Sequence, residues 1–333
     1  MRYLISSFLI LFIFGCQRKH GTVMNYEGSA QGTSFQVKIF YPEGFSGKQI
    51  DENIIQGWLS RYNKIASPWD PDSEISKLNS GDTVALSKEM FQLCQLAFSA
   101  KVSTNGVIDP TLQPLIEAWG FGVSKGYLHY GDTARVKTLM KFVGDDKWLP
   151  KKIDFWAWPK NVQLNFMSLA QGHSVDIIID SIKSRGADAA FVEVGGEIKT
   201  FGTKPSGDSF LIGIEQPILE KRDEFQVLVP LQNRALATSG NYRNFRIDSL
   251  NGIKYSHTLN AFSGWPIETE IKSSTVIGAS CALADALATA FLAMPLNQVQ
   301  SWLENNQEWD AYLIYQNKKG DLEVWSSLED IYN

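Results

Sequence analysis

The segment from Cys281 to Met294 is apolar except for one carboxylate and one hydroxyl, Asp285 and Thr289. Helical spacing puts residues i and i+4 on one face, so both oxygens present to one point inside the protein. An ionised carboxylate without a partner is very costly to bury, and no Lys or Arg lies within a turn of Asp285. A bound cation is the simplest answer. Hard oxygen ligands suit Mg²⁺ or Ca²⁺, and Mg²⁺ takes one or two carboxylates and completes its shell with waters and substrate phosphates. The alternative reading keeps the helix without a metal: Thr289 bonds back to its own helix and Asp285 caps a neighbouring loop.

Five further segments carry polar groups in chemically suggestive order. Ser67-Pro68-Trp69-Asp70 leads into a helix capped by Asp72 or Ser73, and an indole on a Pro-flanked loop can stack on a flat ring. Asn105-Gly106-Val107-Ile108-Asp109-Pro110-Thr111 sets a glycine turn, open to close approach of a ligand, beside a carboxylate. Val194-Gly195-Gly196-Glu197 reads first as a tight turn between two strands. Thr238-Ser239-Gly240-Asn241-Tyr242-Arg243 and Tyr255-Ser256-His257-Thr258-Leu259-Asn260 are the remaining polar clusters. An imidazole titrates near neutral pH, so His257 can hold or move a proton, although a lone histidine is more often structural.

Period-two alternation predicts a strand over residues 32–41, and helical spacing predicts helices over 51–65, 88–103 and 170–185. Strands are expected over 189–194, 197–200, 210–215, 225–230, 234–238, 242–247 and 274–278. Residues 122–160 have weak periodicity and read as a helix followed by loops. Hairpin-like strand runs with helices between groups of them indicate an α+β fold, not the regular alternation of a doubly wound one.

An apolar run over residues 3–14 is too short to span a bilayer but has the length of a signal-peptide core. Ile13-Phe14-Gly15-Cys16 resembles a lipobox, which implies a signal peptide over residues 1–15, lipid on Cys16 and a polar tether over 16–24. An ordinary secretory signal with an incidental cysteine is the other reading. The protein is accordingly expected to be exported and membrane-anchored, facing the periplasm or cell exterior. A formal charge of −5 argues against a nucleic-acid partner, which would call for a basic patch. Cys94 and Cys281 could pair in an oxidising compartment or stay as buried thiols. The length and apolar content suit one large unit over residues 25–333 or two closely fused lobes.

The ordered set resembles the ApbE family of FAD:protein FMN transferases. The matching segments are Gly28-Ser29-Ala30-Gln31-Gly32-Thr33, Asp72 through Asn79, Gly106 through Thr111, Pro114-Leu115 and Trp119-Gly120-Phe121-Gly122. They continue with Ala170-Gln171-Gly172-His173-Ser174-Val175-Asp176, Val194 through Glu197, Ala237 through Tyr242, Ser256-His257 and Ala284 through Ala290. The resemblance implies a two-lobed α+β fold of mixed or antiparallel sheets and packed helices, with FAD in a cleft between the lobes and Mg²⁺ at its pyrophosphate. It makes Asp285, Thr289 and the main-chain carbonyl of Ser168 metal ligands. Gln31, Trp69, Val107, Ile108, Asp109, Asn165, Gln171 and the main chain near Leu259 would line the FAD site, and His257 would be the base or charge stabiliser.

Several positions depart from the family's commonest pattern. Asn165 stands where Asp is usual and Gln171 where Lys is usual, which removes a possible ion pair while keeping the net charge. Gln31 replaces a common Met, His173 a common Tyr, and Asn260-Ala261 a common Asp-Pro. The implied reaction moves FMN from FAD to a Thr or Ser hydroxyl of an acceptor protein, expected to be a membrane-associated redox protein, and releases AMP. Transfer to water, giving FMN and AMP, and flavin binding by a non-catalytic lipoprotein are the alternatives.

Overall fold

Alternating apolar positions build strands and 3.6-residue spacing builds helices, and in the computed structural model the two sort onto opposite sides of a common sheet. Residues 21–123, 128–129, 131–215, 225–241, 245–250, 252–329 and 331–332 are described. The signal-peptide run, Cys16 and Tyr242-Arg243 lie outside the described residues.

In chain order the elements begin with β1 (Val23–Ala30), β2 (Thr33–Phe40), α1 (Glu52–Ala66), α2 (Glu74–Asn79), β3 (Val84–Ala85), α3 (Lys88–Ser103) and α4 (Gln113–Ala118). There follow α5 (Thr133–Leu139), β4 (Phe155–Trp156), α6 (Ala170–Lys183), β5 (Ala189–Val194), β6 (Glu197–Phe201), β7 (Phe210–Glu215) and β8 (Phe225–Leu231). The rest are β9 (Ala235–Gly240), β10 (Phe245–Ile247), β11 (Lys254–Ser256), β12 (Ile271–Gly278), α7 (Cys281–Leu292), α8 (Leu296–Glu304), β13 (Asp310–Gln316) and β14 (Leu322–Ser326).

Eight strands form one sheet in the order β1-β2-β5-β6-β9-β12-β13-β14. Every pair in it is antiparallel. Strand alternation gives the sheet two different faces. On one, Ile198, Leu236, Ile277 and Tyr312 pack under the β7–β8 hairpin through Phe210, Ile212 and Val229. On the other, Val192, Val194 and Ala235 meet Val175 and Ile179 of α6, while Ala237 and Val276 meet α7. A smaller apolar cluster, built on Leu115, Trp119, Tyr255 and Leu259, sits beside this body.

Expected and observed bounds agree for 88–103, 189–194 and 210–215, and differ elsewhere by a few residues. The strand expected over 234–238 continues to Gly240, because Ser239 and Gly240 still pair with Ser274 and Ser273 of β12. Ser73 is the α2 cap, its hydroxyl accepting from the Ser76 N–H at 3.1 Å. Cys94 and Cys281 are free, buried thiols, so the pairing alternative does not occur.

The contact that matters most for the site is between α6 and α7. A Cβ on Gly172 would lie 2.4 Å from the Cys281 carbonyl oxygen and 2.8 Å from Ala282 Cα, so only glycine lets the two backbones approach this closely. Asp176, one turn along α6, fastens the same corner: its carboxylate accepts from the Cys281 and Ala282 N–H groups, both at 3.1 Å, and from the Ser280 hydroxyl at 3.0 Å. Lys199 of β6 pairs with the same carboxylate. The sequence thereby caps α7 from a second helix as well as from its own Ser280.

Gly172→Ala tests that approach. Intrinsic helix propensity favours alanine by about 1 kcal/mol, and overpacking against backbone costs about 1–3 kcal/mol or more. The variant is expected to be less stable in urea unfolding despite its better helix former. A gain in stability would show that α6 and α7 separate at no cost.

Candidate functional site

Two adjoining cavities open beside the α6–α7 corner, and Met167 lines both. The first, about 520 Å³, is walled by Gln31, Tyr62, Ala66, Pro68, Trp69, Ala170 and Gln171. The second, about 230 Å³, takes Val107, Ile108, Asp109, Asn165, Ser168, His257, Leu259 and Thr289 among its lining residues. It lies where α7 meets the small Trp119 cluster, whose Leu112, Ile116 and Phe121 form one wall. Of the FAD, metal and base residues that the family resemblance implies, all line one cavity or the other except Asp285.

Local chemistry explains each placement. Gln31 occupies the tight turn between β1 and β2 with a left-handed φ of 54°. Trp69 is 56% exposed on the loop that Ser73 closes by donating its hydroxyl to the Ser67 carbonyl at 2.7 Å, so the indole is held at the rim with a free face. Asp109 is less available than its sequence suggests. One of its oxygens pairs with Lys101 at 2.9 Å and the other accepts from the Thr111 N–H at 2.9 Å, so it shapes the turn that presents Val107 and Ile108. Asn165 likewise donates to Gln113 at 2.7 Å and accepts from the Met167 N–H at 2.9 Å, which fixes the segment carrying Ser168.

Asp285 lies one turn before Thr289 on α7, buried behind the cavities. Its carboxylate accepts from the Gly172 N–H at 3.3 Å, a long contact for a buried charge. The second carboxyl nearby, Glu197, was legible in sequence only as part of a tight turn. It is 6% exposed, and its Oε2 is buried with no hydrogen-bond partner. Burial pushes both carboxyls above the usual carboxylate range, and the charge of Asp285 pushes Glu197 further. Neither has a basic partner in an ion pair among the described residues, whereas Asp176 nearby has Lys199. His173, by contrast, is neutral: burial lowers its pKa to about 4, and its Nδ1 shares a 3.0 Å hydrogen bond with the Tyr62 hydroxyl behind the first cavity.

These groups fit a divalent cation. Buried, electrostatically stressed carboxyls, one of them with an orphaned oxygen, are what a cation would relieve, and Thr289 and Ser168 add hard oxygens at the adjoining cavity. Among the described residues no three His, Cys, Asp or Glu side chains form a metal cluster. So few protein ligands favour an ion that keeps waters and substrate phosphates in its shell. Tyr62, Met167 and Phe121 also line the cavities: Tyr62 reads from sequence as a core position of α1, while Met167 and Phe121 stand on connecting segments where no periodicity marks them.

Comparison with known proteins identifies relatives of the chain. The model of the ApbE family matches residues 31–313. The chain is 28% identical over 308 residues to a FAD:protein FMN transferase of Vibrio cholerae, covering 92% of this chain and 91% of that one. It is 26% identical over 326 residues to one of Haemophilus influenzae, covering 95% and 93%. Among solved structures, the flavinyl transferase ApbE of Pseudomonas stutzeri superposes with a TM-score of 0.79 at 27% identity, over 92% of this chain and 95% of that one. The flavin transferase ApbE of Vibrio cholerae gives 0.77 at 26%, over 92% and 97%.

A pH-dependent outcome follows from the stressed carboxyl. A carboxyl whose folded pKa is raised costs stability as pH rises from its unfolded value of about 3.9. Asp285→Asn keeps the Gly172 contact and removes the charge. In EDTA the variant is expected to match the parent near pH 4 and to exceed it by about 1–3 kcal/mol at pH 8. Urea midpoints across that range check it, and a pH-independent difference would refute the stressed-carboxyl reading.

Proposed function

The chain belongs to the ApbE family, and from that premise we propose that it is a Mg²⁺-dependent FAD:protein FMN transferase. The observation that carries the reading is the convergence of Thr289, Ser168 and His257 on one cavity, with buried Asp285 one turn behind Thr289. Asp285, Thr289 and the Ser168 carbonyl would hold Mg²⁺, which when bound would neutralise charge on the phosphoryl oxygens of FAD. The two adjoining cavities together offer the flavin and adenine ends of FAD mostly apolar walls, with the Trp69 indole as a stacking surface at the rim.

His257 would accept the proton of an acceptor Thr or Ser hydroxyl. The hydroxyl oxygen bonds to the FMN-side phosphorus, the phosphoanhydride bond breaks, and its electron pair leaves with AMP. Phe121 packs edge-on against the His257 ring at 6.3 Å between centroids, which restricts the imidazole's orientation in the cavity. The apolar neighbours Ile108, Leu112 and Leu259 limit water around the attacking oxygen and so favour a protein hydroxyl over hydrolysis. The lipobox-like Cys16 supports an exported, lipid-anchored enzyme whose acceptor is itself at the membrane.

Incubation with FAD, Mg²⁺ and a candidate acceptor, followed by a denaturing gel, is expected to leave flavin fluorescence on the acceptor. AMP without covalent flavin would make the protein a hydrolase, and neither product would make it a flavin binder. His257→Asn should slow single-turnover transfer by about 10²- to 10⁴-fold with FAD binding retained. Parental rates in that variant would remove His257 from the mechanism.

Trp69→Ala should weaken FAD binding by about 1–2 kcal/mol, the scale of an aromatic stack. An unaltered dissociation constant in a fluorescence titration would assign the indole to packing of its own loop.

A further inference from the structure

The polar run Thr238-Ser239-Gly240-Asn241 lines neither cavity, yet it reaches both sides of the proposed reaction centre. Strand alternation turns Thr238 and Ser239 to opposite faces of β9. The Thr238 hydroxyl meets that of Thr275 on the neighbouring strand at 2.8 Å and pins the register. Ser239 faces the helices, and its hydroxyl is 3.1 Å from that of Thr289. Past Gly240 the chain leaves the sheet, and the Asn241 N–H donates to the Lys272 carbonyl at 3.3 Å. The buried Asn241 side chain then accepts from the Thr258 hydroxyl at 2.7 Å. Thr258 follows His257 directly and lines the same cavity.

The geometry points to residues 238–241 as a bracket of positioning residues: Ser239 orients the Thr289 hydroxyl and Asn241 holds the Thr258 segment that carries His257. Two residues of extended chain, about 7 Å, separate the two grips. The strand pairing of β9 with β12 makes that span rigid, so the bracket sets how far the proton acceptor stands from the cation ligand. The hydroxyl pairing also has a preferred sense. A cation on the Thr289 oxygen would draw density from it and make its O–H the stronger donor, so the bound state favours Thr289 donating and Ser239 accepting. Asn241 takes the Thr258 hydroxyl at a buried position, so displacing the segment that carries His257 costs that hydrogen bond. The roles of Thr289 and His257 rest on the transferase reading; the contacts of Ser239 and Asn241 do not.

The test separates the two grips in the full-length protein. Mn²⁺ binding, followed by electron paramagnetic resonance without FAD, is expected to weaken about tenfold in Ser239→Ala and to recover in Ser239→Thr. The ¹⁵N imidazole signal of His257, assigned with His257→Asn, should stay at its parental position in Ser239→Ala. Asn241→Ala and the isosteric Thr258→Val should each shift that imidazole signal and slow single-turnover transfer about tenfold, with Mn²⁺ binding within about twofold of the parent. The double variant should be no worse than either single one, because both remove the same bond. Parental Mn²⁺ affinity in Ser239→Ala, an unmoved imidazole signal in Thr258→Val, or all variants moving both readouts together would overturn the bracket. If the parent transfers no flavin, the transferase reading falls, while the metal and imidazole readouts still decide the bracket.

Discussion

Everything around the candidate centre depends on how closely α6 and α7 approach at Gly172. With no Cβ there, the Gly172 N–H reaches the Asp285 carboxylate, and Gln171, one residue earlier, is delivered to the first cavity wall. Asp176 closes the same corner by capping α7 from α6, and its charge is matched by Lys199. Two acidic residues on or near one helix junction therefore have opposite environments. Asp176 is paired and hydrogen-bonded, which makes it structural; Asp285 is buried with one long contact, which leaves it in need of a counter-charge.

This contrast explains why the site does not collapse into a satisfied core. A buried carboxyl without a partner normally neutralises by taking up a proton, and the upward push on Asp285 and Glu197 is that tendency. A divalent cation competes with the proton for the same oxygens. Binding would then stabilise the fold by mass action, in proportion to how far the ion exceeds its dissociation constant. The cost of burying the two carboxyls is borne by the surrounding packing, where α7, apolar apart from Asp285 and Thr289, lies against β9, β12, α6 and α3.

The long-range nature of these encounters also decides what the sequence could disclose. Local rules sufficed for α3, for the Ser73 cap and for the face shared by Asp285 and Thr289, because period and capping act within a few residues. β1 does alternate, Asn25, Glu27 and Ser29 outward against Met24 and Tyr26, but its inner face continues with the small residues Gly28 and Ala30, so the apolar signal fades within the strand. β13 is buried almost throughout and shows no alternation to detect, and β14 is mostly exposed. At the site, Glu197 looked like the end of a glycine turn; only the packing of β6 under α7 sets its charge against that of Asp285. Asp109 and Asn165 line the second cavity as the resemblance implies, and their side chains also hold the turns that shape it, which only the folded contacts disclose.

Gln171 shows how one neutral side chain changes the electrostatics of this corner. Its Nε2 and the orphaned Glu197 Oε2 flank the same hollow, 2.7 Å and 3.3 Å from where a Cβ on Gly195 would sit. A side-chain amide can donate a hydrogen bond into that hollow but cannot neutralise a carboxylate. Among the described residues no lysine or arginine pairs with Glu197, and Lys199 of β6 is committed to Asp176. The charge of Glu197 is therefore left to the same remedy as that of Asp285, a proton or a bound cation. A glycine at 195, with φ of 67°, keeps the hollow open for that remedy, because any side chain there would strike Gln171 and Thr33 before it reached the carboxyl.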